Sequence, residues 1–206
     1  MMLYHIIKRI IDVVVSLIGV VILIPLFIVL AIWIKLTSKG PVIFKQKRLG
    51  KDRKPFIIYK FRSMIIGASD LQKKGVPDKE LITSSGRFMR KTFFDETAQL
   101  FNVLKGDMSL IGPRPTGRLV RKEWKEVAKI KPGITGLESV ADYLPQKDRI
   151  KFEEHFKNLL KKDISKDFSK HILLLDSYYV KNESFWLDLK IMFYTILLAV
   201  RRIFSN

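Results

Sequence analysis

Between Val13 and Ile34 the chain runs for about 22 residues without a charge, long enough to cross a bilayer as one helix. The run is too long for a signal peptide, and no small-residue cleavage pattern follows Trp33. Pro25 stands near its middle, where it removes one backbone hydrogen bond and favours a kink. Both flanks are basic, Lys8 and Arg9 before and Lys35 and Lys39 after, and such residues mark the cytoplasmic side of a membrane. Two arrangements satisfy these facts. One is a kinked span. The other is a re-entrant helical hairpin broken at Pro25, whose halves of roughly 11 residues would each reach only about 16 Å into an apolar core of about 30 Å. Asp12, at the head of the run, reads as an interfacial acid paired with Lys8 or Arg9 and is not a site candidate.

A chain of 206 residues has room for one ordinary domain and an additional element. The expected division is a membrane-embedded segment over 1–39 and a catalytic domain over 40–206. The net charge of +18 calls for polyanionic partners: nucleic acid, an acidic membrane surface or phosphorylated substrates. Because the chain is also 48% hydrophobic, with the apolar residues gathered at its two ends, a membrane is favoured over nucleic acid. The absence of cysteine excludes disulfides and thiolate metal sites and fits a reducing compartment.

After Pro41 the pattern predicts an α+β, mainly helical domain. Val42–Gln46 and Phe56–Phe61 read as a small β-hairpin around the charged turn Leu49–Pro55. Lys60 and Arg62 alternate there with Tyr59 and Phe61, giving either a solvated basic face or a contact for phosphate or lipid headgroups. Ile66–Thr83 reads as a mobile loop. Thr92, three residues before Asp95, resembles a capping-box start, and apolar spacing continues the helix to Lys105, with Gly106 as its stop. Asp95 and Glu96 would then occupy the first turn. There they serve either as simple first-turn acids or, with free N–H groups and the helix dipole, as a place for phosphate and a divalent cation.

Arg114, between Pro113 and Pro115, suits two-pronged phosphate binding or a structural loop. Leu119–Ile130 reads as a basic helix, the turn-rich segment at 131–136 as a possible pocket wall, and Gln146–Lys170 as an amphipathic helix. His155 and His171 lack partners at metal-ligand spacing. Asp176, between an apolar run and two tyrosines, is a candidate for metal or substrate binding. Trp186, Leu189, Phe193, Ile196, Leu197, Val200 and Phe204 trace one helical face, suited to a membrane interface or to a core.

Taken in order, YKFRSM at 59–64, the acid pair at 95 and 96, QLFNVLKGDMSLIGPRP at 99–115, KPGITG at 131–136 and DSYYVKN at 176–182 resemble the bacterial initiating sugar transferases. These are the monotopic polyprenyl-phosphate phosphoglycosyl transferases, and the resemblance runs from Lys8 to the final helix, in the minimal catalytic form of the family. It implies a re-entrant helix broken near Pro25, at the bacterial inner (cytoplasmic) membrane, with the catalytic domain on the cytoplasmic face. It implies transfer of a sugar-1-phosphate from a nucleotide diphosphate sugar, usually a UDP-sugar, to polyprenyl phosphate such as undecaprenyl phosphate, with release of UMP. Asp95 would be the nucleophile that forms a phosphosugar intermediate, and Glu96 would manage metal or proton. Mg²⁺ would be the cofactor, held by Asp95 and Glu96 with Asp176 in support. Arg114, Lys60 and Arg62 would bind phosphate. The product would start a glycan such as O-antigen or exopolysaccharide; a homodimer is compatible with the sequence.

Two departures from the family pattern stand out. Thr97 and Ala98 replace a usual Leu-Pro. After Gly136 the chain reads LESVADYLPQ where a Gln-Val-Asn-Gly-Arg-like run is usual, so a basic residue is missing there unless Lys147 or Arg149 substitutes. The rival readings are a membrane phosphohydrolase using the same acyl-phosphate chemistry and a non-catalytic scaffold of a glycan-assembly complex.

Overall fold

The computed structural model describes residues 2–115, 125–144 and 168–204. Its first element, α1 (Met2–Thr37), is a single helix that continues through Pro25. At 1.5 Å per residue it is about 54 Å long. The expected division into two short limbs is not seen, because packing on both sides of Pro25 compensates for the lost backbone bond. Before the proline, Arg9 donates to the carbonyls of Val103 and Leu104 at 2.7 and 3.1 Å. After it, Leu30 and Ile34 are buried with Phe61, Met89 and Ala98. Asp12, Ser16, Leu30 and Ile34 thus form one inward stripe, while Val14, Leu17, Ile18, Val21, Ile22, Val29 and Ile32 stay exposed. Asp12 is not the interfacial acid expected. It is buried, and its Oδ1 accepts the backbone N–H of Leu110 at 2.9 Å.

The β-hairpin is present and longer than expected: β1 (Ile43–Leu49) pairs antiparallel with β2 (Pro55–Phe61), Ile43 opposite Phe61 and Leu49 opposite Pro55. The segment read as a mobile loop contains two short helices, α2 (Ala68–Lys73) and α3 (Asp78–Leu81), and Leu81 from it is buried. Next comes α4 (Ser84–Thr92), whose N-cap is Thr83, its hydroxyl accepting the Gly86 N–H at 3.0 Å. A 3-10 turn, Phe94–Gln99, leads into α5 (Leu100–Lys105), which stops at Gly106 with φ +89° as the sequence required.

Asn102 on α5 is fully buried and takes the place of a missing strand neighbour: its Oδ1 accepts the N–H of Tyr59 at 3.0 Å and its Nδ2 donates to the carbonyl of Ile57 at 2.6 Å. That fixes β2, and with it Lys60, against the turn that joins α4 to α5.

KPGITG is more than a turn. Gly133–Thr135 forms β4, parallel to β3 (Ser109–Ile111), with Gly112 donating to Thr135 at 2.9 Å and Gly133 donating to Pro113 at 2.8 Å. α6 (Leu137–Tyr143), α7 (Phe168–Asn182) and α8 (Phe185–Phe204) complete the main core around Met108, Val140, Leu175 and Ile191. Of the expected helix over Leu119–Ile130, the described portion holds a 3-10 turn, Val127–Lys129. The helix expected over Gln146–Lys170, with Lys147, Arg149 and His155, lies outside the described residues apart from Phe168–Lys170, which begin α7.

α8 faces two ways. Asp188, Ile191 and Leu198 are buried, and Thr195 bonds Thr135 at 2.8 Å, whereas Trp186, Leu189, Phe193, Ile196, Leu197, Val200 and Phe204 are all exposed. The apolar face legible in the sequence is therefore the outward one. Both ends of α1 are tied to the rest of the chain. Near its start, Tyr4 and Tyr179 donate to Asp188 at 2.8 and 2.6 Å, and Lys8 pairs with the same carboxylate. At its end, Thr37 and Ser85 share a hydrogen bond of 2.9 Å.

Candidate active site

The dyad stands in the first turn of a helix as expected, but that helix begins as the 3-10 segment Phe94–Gln99 and is not capped by Thr92. Thr92 is the last residue of α4, and its hydroxyl donates backward to the Phe88 carbonyl at 2.9 Å instead of capping the next turn. Phe93 then takes φ +60°, a left-handed conformation that costs a non-glycine residue roughly 1–2 kcal/mol. This reversal starts the 3-10 turn, so Asp95 and Glu96 are presented on a tight bend between two helices. Thr97, at one of the departures from the family pattern, helps to close that bend by donating to the Phe94 carbonyl at 2.7 Å. Backbone strain of this kind gathers where a side chain must be aimed.

Lys60 reaches from β2 to Glu96, Nζ to Oε1 at 2.6 Å. Asp95 beside them is 8% exposed. Burial first, then the charge of Glu96, pushes its carboxyl up to about 6, while Lys60 and Arg90 pull it down. The dyad lines a cleft of about 1030 Å³ whose walls also carry Lys45, Arg48, Arg62, Arg90, Arg114 and Arg202. Burial, and after it the neighbouring charge of Arg114, lowers the pKa of Arg48. A cleft that gathers cations against one another in this way favours a multiply charged anion, such as a diphosphate.

Lys60, Arg62, Asp95, Glu96 and Arg114 therefore meet around one cleft, as the sequence suggested. Arg62 is buried, however, and its Nη2 donates to the carbonyl and hydroxyl of Ser38, each at 2.8 Å, so it also fastens the end of α1. Asp176 does not line the cleft. It is 1% exposed on α7, and its proton affinity is raised well above the usual carboxylate range by burial and by Glu138, with Arg114 opposing. Glu138, in the altered segment after Gly136, is itself pushed up to about 7, chiefly by burial.

Among the described residues, no group of three histidine or carboxylate side chains stands together as a metal cage. Two adjacent carboxylates still suit Mg²⁺, which commonly takes one or two carboxylates together with substrate phosphates and water. Sequence reasoning missed Arg48, Arg90, Arg202 and Glu138. Only Arg90 left a local trace, as a basic residue in the last turn before the dyad.

A buried carboxylate with an acidic neighbour, in a cation-walled cleft beside helices with apolar outer faces, forms a site suited to phosphorylated ligands at an apolar boundary. The chain belongs to the bacterial sugar transferase family, whose model matches residues 3–202. It is 35% identical over 198 residues to a UDP-glucose:undecaprenyl-phosphate glucose-1-phosphate transferase of Klebsiella pneumoniae, covering 92% of this chain and 39% of that protein. It is 38% identical over 205 residues to a UDP-N-acetylgalactosamine-undecaprenyl-phosphate N-acetylgalactosaminephosphotransferase of Aeromonas hydrophila, covering 94% and 44%. A sugar transferase of Bacillus subtilis described as uncharacterized, EpsL, is 38% identical over 169 residues, 79% of this chain and 72% of that one. The chain thus spans about two fifths of the length of the first two relatives.

Proposed function

We propose that this protein transfers a sugar-1-phosphate from a nucleotide diphosphate sugar, a UDP-sugar by analogy with its relatives, to polyprenyl phosphate. The observation that carries the reading is Asp95, buried beside the Glu96–Lys60 pair in a basic cleft. A carboxylate is a weak nucleophile, and an anionic phosphate repels it unless its charge is offset. Here Lys60 and Arg90 favour the ionised form of Asp95, and Arg48 and Arg114 can neutralise the donor's diphosphate. An Asp95 oxygen attacks the phosphorus that bears the sugar; its bond to the bridging oxygen breaks, and UMP leaves with the electron pair. An oxygen of the lipid phosphate then attacks the same phosphorus and expels the Asp95 carboxylate. Bound to Asp95 and Glu96, Mg²⁺ would supply further charge neutralisation on the phosphate oxygens.

The product, a polyprenyl-diphosphate-linked sugar, would begin a bacterial glycan. The exposed apolar faces of α1 and α8 support placement at the inner membrane. Both ends of α1 are fastened to the catalytic residues' own domain, which supports a same-side arrangement of the helix ends with that domain on the cytoplasmic face. Purified protein should release a single burst of UMP from a UDP-sugar alone, and should turn over and form the lipid-linked sugar only when polyprenyl phosphate is present. Continuous release into water would indicate the hydrolase instead, and no release from any donor would leave the scaffold reading.

A further inference from the structure

We propose that Arg202, at the C-terminal end of α8, binds the phosphate of the incoming acceptor, a phosphate monoester carried on a long apolar chain. The proposal rests on the transferase reading for its place in the reaction, but its evidence is separate. Asp188, Ile191, Thr195, Leu198 and Arg202 recur at helical spacing, and the first four face the domain: three are buried and Thr195 bonds Thr135. Arg202 continues that spacing one turn beyond Leu198, where the side chain is exposed on the cleft wall.

Its guanidinium lies 4.5 Å from the ring centroid of Phe93, the left-handed residue that aims the dyad. Arg202, Phe93, Asp95 and Glu96 all line the same cleft. A guanidinium laid on an aromatic face keeps its N–H donors in its own plane, the geometry that grips phosphate oxygens two at a time.

The surroundings distinguish acceptor from donor. The opposite side of the last three turns of α8 exposes Phe193, Ile196, Leu197, Val200, Ile203 and Phe204. On the other flank, Trp33 of α1, Phe88 of α4 and Phe94 beside Asp95 form a chain of ring contacts at 5.4 and 5.9 Å, and Phe88 is exposed. Arg202 thus stands where an apolar surface meets the cleft. A soluble donor needs no apolar approach, whereas a lipid phosphate must enter along one. Lys60 and Arg48 enter the cleft from the β-hairpin, a different wall.

The test uses the full chain in lipid nanodiscs. In Arg202→Ala, the KM for undecaprenyl phosphate should rise at least about tenfold, a loss of ~1.4 kcal/mol. The UMP burst from the UDP-sugar alone should keep its amplitude and its donor KM, and Arg202→Lys should recover part of the loss. An unchanged acceptor KM overturns the proposal; so does a donor KM that rises in step, which would assign Arg202 to the donor or to general support of Phe93.

A second readout needs no turnover. Undecaprenyl phosphate should raise the thermal midpoint of the wild type more than phosphate-free undecaprenol does, and Arg202→Ala should lose that difference. If no UDP-sugar yields UMP, the transferase reading falls while this measurement still decides whether Arg202 holds the lipid phosphate. If Arg202→Ala does not fold, Arg202→Gln, which keeps most of the bulk, carries the same measurements.

Discussion

Replacing Asp95 with asparagine should abolish turnover and at the same time stabilise the fold. Folding raises the Asp95 carboxyl from an ordinary 3.8 to about 6. For an acid held above its unfolded value, the ionised state is the disfavoured one in the native protein. The penalty is absent below about pH 4, where both states are protonated, grows as pH rises, and is complete above about 6. A displacement of about two pH units corresponds to ~3 kcal/mol. Asparagine keeps the shape, carries no charge and removes the repulsion with Glu96. In a chain of this size ~3 kcal/mol is a rise of roughly 6–12 °C in Tm at pH 8. The assay is thermal unfolding of both proteins in one detergent from pH 4 to pH 8, beside the UMP-release assay. Equal midpoints at pH 8, or a difference that does not shrink toward pH 4, would refute the account of Asp95 as a destabilised, ionised group, and retained UMP release would remove it as nucleophile.

Three further outcomes are expected. The rate of UMP release in the wild type should fall as pH drops through about 6, because only the ionised Asp95 attacks, and Lys60→Ala should move that fall to higher pH since Lys60 favours the charged form; a flat profile between 5 and 8 would contradict this. Gly86→Ala should lower Tm by an amount equivalent to about 1–3 kcal/mol, because a Cβ there would lie 2.0 Å from the Ser63 carbonyl oxygen and force α4 away from the hairpin; an unchanged Tm would show that the contact is slack. Because the chain has no cysteine, single cysteines introduced at Met2 and Lys39 can be labelled one at a time in intact vesicles, and both should react from the same side; opposite sides would restore a spanning helix.

The hairpin, the Gly106 stop and the apolar face of α8 were legible because each is set by spacing within a few residues, whereas spacing left open whether that face points outward or into the core. The cluster of Lys60, Asp95, Glu96 and Arg114 was legible from motif order. The misreadings have identifiable causes. The apolar spacing of Phe93, Leu100 and Leu104 continues through a bend, so it concealed the left-handed Phe93 and the 3-10 turn that carries the dyad. Thr92 imitates a cap, whereas the working cap is Thr83, nine residues earlier and followed at three residues by Gly86 instead of an acid. Asp12, Arg202 and Glu138 acquire their roles from partners far along the chain, and no window of sequence could display them.

The manner in which α1 is seated also bears on how this protein can be handled. Leu30 and Ile34 make up part of a core with Phe61, Met89 and Ala98, and Asp12 satisfies a strand N–H that would otherwise face an apolar interior. The N-terminal helix is therefore a wall of the building and not a leash tied to it. Deleting it to obtain a water-soluble fragment would expose Phe61, Met89 and Ala98 directly behind the dyad, leaving a chain that aggregates before it can be assayed.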